Sequence, residues 1–233
     1  MIPTGGEDVE QRRFPSVYAL VMMLLVAGAA VSLLLPIWLR PAAATREVPA
    51  ELQGVLLPIA HPIEAVPLLD HHGRPFGVEQ LRGHWTFLLF GYTYCPDICP
   101  VTLGALAGLV AQLATGPGGE AAAPRGLFVS VDPRRDTPAV LKKYLAYFNP
   151  HFTGLVGDEA QLMAFARQVG AAYVRVPPAN NTDEERFEHS TSLFLIDPQA
   201  RLVGIFSYAI QTEGRAMALF QKIDTLYKEH KWP

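Results

Sequence analysis

Trp85-Thr86-Phe87-Leu88-Leu89-Phe90-Gly91-Tyr92-Thr93-Tyr94-Cys95-Pro96-Asp97-Ile98-Cys99-Pro100 is the stretch on which the fold turns. Its first half is an unbroken apolar run, which suits a strand buried on both faces. Its second half carries the chain's only two cysteines, at Cys-x-x-x-Cys spacing, each followed by proline. Proline steers its preceding residue away from the α region and suits the first helical position, so both thiols are expected outside the helix and Pro100 at its start. The pair therefore reads as a loop resting on a helix N-terminus. Unpaired N–H groups and the positive dipole end favour thiolate there, the form that attacks disulfides and binds soft metals. A structural disulfide, or two inert buried thiols, are the plainer alternatives.

Working outward, Leu103, Leu106, Leu109, Val110 and Leu113 form a helical apolar stripe over Val101 to Ala114. Leu127 to Val131 is a short buried-type strand ending at Asp132-Pro133. Thr137 can cap a helix that begins at Pro138 and ends at Asn149-Pro150. Phe152 to Val156 suits another strand, followed by a helix capped by Asp158 and closed by Gly170. Tyr173 to Val176 is extended, Pro177 to Glu188 reads as an exposed polar loop, and Ser192 to Phe206 as a hairpin turning at Asp197-Pro198-Gln199-Ala200. A helix from about Glu213 to Lys228 closes the domain. Helices alternating with strands imply parallel pairs, and the late hairpin adds antiparallel edges. The expected fold is α/β, a mixed central sheet flanked by helices.

On the N-terminal side, no charged residue occurs from Phe14 to Leu39. As a helix, Val17 to Leu39 would extend about 34 Å, enough for a hydrocarbon core of about 30 Å. The expected organisation is a cytoplasmic leader over residues 1–15, one N-terminal transmembrane helix over 16–39, a tether over 40–62 and a globular domain over 63–233. Ala42-Ala43-Ala44 offers a cleavage site, but the apolar run exceeds that of an ordinary signal peptide. Arg12 and Arg13 before the span are matched by Arg40 and Arg46 after it, so charge leaves the orientation open. Glu7, Asp8 and Glu10 argue against a mitochondrial transit peptide, which leaves a bacterial inner-membrane protein as the simpler reading. A net charge of −3 with scattered basic residues sets nucleic-acid binding aside.

Two thiolates alone suit redox exchange, whereas two thiolates with one imidazole suit copper. Of seven histidines, His61 falls in the tether, His71 and His72 in a turn, His84 before the strand, His151 after a helix end and His230 at the chain end. Each reads most simply as exposed or capping. His189 stands at the junction of the polar loop with the strand Leu193 to Ile196, where open α/β sheets place ligands; a satisfied loop histidine is equally consistent. Asp97 suits an Asx turn between the cysteines. Asp132 and the following Pro133-Arg134-Arg135-Asp136-Thr137 suit either a binding surface or a charged loop with an N-cap.

Gly91 to Pro100 resembles the signature of the Sco/SenC copper chaperones. Val129 to Pro133 with Asp136-Thr137-Pro138 is similar to that family's second block, and His189-Ser190 before Leu195 to Pro198 to its third. The resemblance runs from about Ile63 to Tyr227. It implies a thioredoxin-like domain tethered to a membrane and facing the periplasm, binding one copper ion, Cu(I) or Cu(II), through Cys95, Cys99 and His189. It further implies delivery of copper to the binuclear copper centre of cytochrome oxidase, or reduction of that centre's cysteines. Expected partners are the oxidase copper-centre subunit and other copper carriers or thiol reductants. Where family members often carry histidine and aspartate, this chain has Tyr94 and Glu188.

The main rival is a thiol-disulfide oxidoreductase with Cys95 and Cys99 as the redox-active pair. Such enzymes place two residues between their cysteines, where three stand here, and a cis-proline where this chain has Thr191. A thiol peroxidase would want threonine three residues before the reactive cysteine, and Thr93 is two before Cys95. A structural zinc site wants four ligands, and only two cysteines exist.

Overall fold

The computed structural model describes residues 17–38, 47–116, 118–177, 185–212 and 215–231. Two compact units divide the chain, Met1–Ala44 and Thr45–Pro233. The first contains α1 (Val17–Trp38). Its side chains are described as far as Ser32, and all of these are exposed. Among them, no helical run is long and apolar enough to cross a membrane. The expected leader, residues 1–15, lies outside the described residues, as do residues 39–46.

The second unit runs β1 (Leu56–Pro62), β2 (Leu68–Asp70), β3 (Pro75–Phe76), β4 (Thr86–Gly91), α2 (Ile98–Ala114), α3 (Gly119–Ala122), β5 (Arg125–Ser130), α4 (Pro138–Phe148), β6 (Thr153–Val156), α5 (Glu159–Val169), β7 (Tyr173–Val176), β8 (Arg186–His189), β9 (Leu193–Ile196), β10 (Arg201–Phe206), α6 (Tyr208–Thr212) and α7 (Ala216–Lys228). Eight strands form one sheet in the order β1-β10-β9-β4-β5-β6-β2-β3, while β7 and β8 pair separately. At its centre β4, β5 and β6 are parallel, and the flanking pairs are antiparallel. The expected mixed sheet flanked by helices is what the chain forms.

All six residues of β4 are buried. Because side chains alternate along a strand, Phe87 and Leu89 join one core with Leu103, Leu106, Phe206 and Phe220, whereas Leu88 and Phe90 join the opposite core with Phe165 and Phe194. An unbroken apolar run is what two covered faces require. The expected caps also form. Thr137 Oγ1 accepts from Val140 N at 3.3 Å, and Asp158 and Gln161 exchange reciprocal bonds at 2.8 and 2.9 Å. Gly170 closes α5 at φ 70°, in the left-handed region that favours glycine.

Three expectations are corrected. Leu56–Pro62 is not tether but the edge strand β1, antiparallel to β10, and the compact unit already begins at Thr45. Pro58 and Pro62 are tolerated there because an edge strand leaves one row of N–H positions unpaired. Next, α2 begins at Ile98, so Cys99 lies inside its first turn and Pro100 two residues deeper than expected. First-turn N–H groups have no intrahelical partner, which is why proline costs nothing there. Finally, Arg186–His189 is not loop but β8, paired in register with β7 from Tyr173↔His189 to Val176↔Arg186. Residues 178–184 of that expected loop lie outside the described residues.

Candidate metal centre

The thiols sit at the carboxyl end of β4, where the chain turns from sheet to helix. Gly91 ends the strand, and Cys95 N donates to Tyr92 O at 3.2 Å to tighten the turn. The first turn of α2 then points its free amides back at the loop, and Cys99 N donates to Cys95 Sγ at 3.4 Å. Asp97, read as an Asx turn, is the N-cap residue but makes no side-chain capping bond. Its backbone amide instead helps hold the Cys95 sulfur as thiolate.

His189 arrives from the β7–β8 ribbon. Ser190 N donates to Ala172 O at 2.9 Å, and Ala172 N to Ser190 Oγ at 3.0 Å, which fixes the ribbon's exit. The imidazole Nδ1 lies 3.0 Å from Ser190 O. A carbonyl only accepts, so Nδ1 carries the proton and Nε2 presents its lone pair. Nε2 lies 3.2 Å from Cys99 Sγ. The ligating atoms of Cys95, Cys99 and His189 all fall within 4.8 Å of one another. Among the described residues no other cluster of three such groups forms.

The two sulfurs are not equivalent. Cys95 is pulled down to about 4, first by the thiol of Cys99 donating to it and then by the amides of Cys99 and Asp97, against the opposing effect of burial. Cys99 is pushed up by sharing its proton with Cys95 and by its own burial. One proton therefore leaves the pair readily and the second is held. Cys99 is also sealed at 1 % exposure against 9 % for Cys95. A Cβ on Gly91 would stand 2.9 Å from Cys99 Sγ and 2.8 Å from the Phe128 ring. Only glycine leaves room for that sulfur.

A polar staple behind the loop supplies rigidity. Asp136, 2 % exposed, accepts from Thr93 N at 3.0 Å, Thr93 Oγ1 at 2.5 Å and Ser130 Oγ at 2.6 Å. Burial raises its carboxyl while those bonds oppose the rise. Arg135 bonds the buried Asp132 carboxylate, donates to Glu185 O at 2.8 Å and lies 4.7 Å over the Tyr94 ring. Tyr92 packs edge-on against both Phe187 and His189, with centroids 5.3 and 6.1 Å apart. The Asp132 to Asp136 segment is therefore a brace holding the cysteine loop and the histidine ribbon together. Tyr94, noted only as a departure, is the platform for that brace.

Gly91, Thr93 and Ser130 were not marked as site residues by the sequence, and Arg135 entered only within the segment after Asp132 that suits either a binding surface or a charged loop. A glycine closing a buried strand was the one available signal, since it announces a close approach. His61, His71, His72, His84, His151 and His230 do not join the cluster. His71 instead accepts from Gly154 N at 2.8 Å through Nδ1, and His84 bonds Gln80 O at 3.0 Å.

Two soft sulfurs and a nitrogen whose tautomer is already set make a donor set for a soft, low-coordinate cation. The SCO1/SenC family model matches residues 63–224. The chain belongs to that family. Among SCO1/SenC relatives, it is 36 % identical over 171 residues to a putative copper-binding protein of Stutzerimonas stutzeri, covering 73 % of this chain and 81 % of that one. To the mitochondrial SCO2 homolog of Bos taurus it is 35 % identical over 162 residues, 67 % of this chain but 60 % of the bovine protein. The structure of Bradyrhizobium japonicum ScoI with copper bound superposes with a TM-score of 0.58 at 32 % identity, covering 69 % of this chain and 98 % of that one. The thioredoxin-like architecture is thus the SCO1/SenC architecture.

Proposed function

We propose that the chain is a membrane-tethered copper carrier that binds one copper ion through Cys95, Cys99 and His189 and gives it to the binuclear copper centre of cytochrome oxidase. The observation carrying this reading is the convergence of two sulfurs and an imidazole within 4.8 Å. Thiolates with one imidazole suit copper by softness, and the titrated character of Cys95 leaves one sulfur ready to bind without a proton to displace. Copper here is cargo. An incoming thiol reaches it first on the less buried Cys95 side, and stepwise ligand exchange passes it on.

The N-terminal segment is proposed to anchor this domain to a bacterial inner membrane with the domain in the periplasm. Support comes from consecutive large apolar side chains on α1, Met22 through Val26, all more than half exposed. A helix apolar all round is buried in protein or in lipid.

A second reading, reduction of the oxidase's copper-site cysteines, is favoured by the same lowered Cys95 thiolate. Cys95 would attack a client disulfide, and Cys99 would then displace the client sulfur. Two electrons and the Cys99 proton pass to the client as a Cys95–Cys99 disulfide forms, and water supplies the second proton because Cys95 attacks as thiolate. Full-length protein in detergent, reduced and titrated with copper, distinguishes the readings. One copper per chain should bind, and His189→Ala should weaken Cu(II) binding sharply while both thiols remain titratable. Unchanged copper affinity in that variant would rule out the three-ligand site.

A further inference from the structure

His71, which the sequence suggests is an exposed or capping turn residue, is 9 % exposed. It follows β2, and the β2–β6 register of Leu69↔Val156 and Asp70↔Leu155 brings Gly154 opposite it. There the side chain takes over a bond of the ladder, with Gly154 N donating to the imidazole Nδ1 at 2.8 Å. A backbone N–H only donates, so this nitrogen keeps its lone pair and the ring stays neutral with its proton on Nε2. Gly154 is itself buried and lies flush on α4, since a Cβ there would stand 2.8 Å from Leu145 Cδ1 and 3.0 Å from Leu141 Cδ1. A protonated ring carries a donor on both nitrogens, so Gly154 N–H would lose its acceptor. A buried donor left unmade is costly.

From this geometry we propose that His71 is an acid-operated latch: protonation of its imidazole frees Gly154 and lets the β2–β3 hairpin open from β6, which then forms the edge of the sheet. The groups around the ring set the direction. Burial pushes His71 below the ordinary histidine value, and His72, Lys142 of α4 and Arg74 add to that, while Asp70 opposes it. The His72 ring stands 4.3 Å away, centroid to centroid. The Asp70 carboxylate is committed elsewhere, accepting from His72 N at 2.8 Å and from Arg74 N and Nε, both at 2.9 Å. From β6 itself come Thr153 to Val156, none of them titratable. Between the lowered value and about 6.5 the closed hairpin therefore holds fewer protons than the open one, so closure weakens as pH falls through that window. Because β2 and β3 lie at one end of the sheet order, they can open without parting β4 from β5. The inference is independent of copper binding, since His71 is outside the cluster of Cys95, Cys99 and His189.

Amide hydrogen exchange read by NMR on the full-length protein in detergent, corrected for the intrinsic pH dependence of exchange, tests the latch. If opening turns a neutral ring into an ordinary histidine, protection of Gly154 and Val156 should fall about tenfold from pH 7.5 to 5.5. The amides of Phe87 to Phe90 in β4 should keep theirs, and an equal loss there would replace the latch by global unfolding. His71→Asn places Oδ1 where Nδ1 stands and accepts without titrating, so it should flatten the profile. His72→Gln should retain it. The imidazole signals of His71 in the unaltered protein should titrate with a midpoint below about 6.5, a reading that needs no variant. A level profile in the unaltered protein, a tenfold fall that survives His71→Asn or vanishes with His72→Gln, or a His71 midpoint at or above that value would each overturn the latch.

Discussion

The β4–α2 junction and the β7–β8 ribbon contribute to one cluster from very different footings. The junction grows out of the centre of an eight-stranded sheet, with β4 buried along its whole length, and it seals Cys99 beneath the loop. The ribbon is a separate two-stranded pair whose residues are mostly half-buried or exposed. Two isolated strands are marginal in water, so the ribbon depends on Tyr92 and Arg135 for its position. The sulfurs are thus fixed by the core, and the imidazole by a brace.

Four measurements press on that contrast. The largest effect is expected for Cys99→Ser, which removes a sulfur from the rigid half; competition against a Cu(I) chelator should show affinity falling by at least about a hundredfold. Retained affinity would mean the buried thiol is no ligand. Gly91→Ala should come next, since the new methyl needs the space of Cys99 Sγ and Phe128. Overpacking of that kind costs about 1–3 kcal/mol, visible as a lower Tm, and a variant as stable as the parent would show that the loop yields. Arg135→Met keeps the bulk but drops the bonds to Asp132 and Glu185 O. About tenfold weaker metal binding with little change in Tm is expected, whereas no change would free the ribbon from the brace. The smallest effect is a pH profile. Cys95 sits below its ordinary value, at about 4, so its thiolate persists as pH falls until that value is reached. Iodoacetamide labelling of Cys95 in the metal-free reduced protein should stay level from pH 8 to 5. A rate that drops tenfold per pH unit below about 8.5 would show an ordinary thiol. Cys99, sealed and still protonated, should stay unlabelled throughout.

The same contrast explains what the sequence disclosed. Features encoded locally were legible: the apolar run of β4, the caps at Thr137 and Asp158, and the Asp197 turn, where Asp197 Oδ1 accepts from Gln199 N and Arg201 N at 3.0 and 2.9 Å. Features that need a distant partner were not. Leu56–Pro62 has prolines at two of seven positions and becomes a strand only through β10. Arg186–His189 is polar and extended only because β7 lies beside it. His189 could be placed at a loop–strand junction, but its approach to Cys99 across 90 residues depends on topology. The family resemblance, rather than any local pattern, singled it out. At Ile98, the preference of Pro100 for a first position was overridden by helix geometry that accepts proline anywhere in the opening turn.

A cavity of about 700 Å3 lies at the other end of β4 and β5, lined by Arg125, Gly126, Phe152 and Thr153 among others. None of the three clustered ligands borders it. Convergence of donors, rather than volume, marks the chemistry of this domain.

Arg135 is a planar group touched on one side by the Tyr94 ring, beside Cys95, and tied at its edge to the Glu185 carbonyl, at the root of the strand that ends in His189. Asp132 pins the same group from behind. Such a plate joins the exposed tyrosine on one side of the cluster to the strand that carries the imidazole on the other, so both sides hang on a single shared mount.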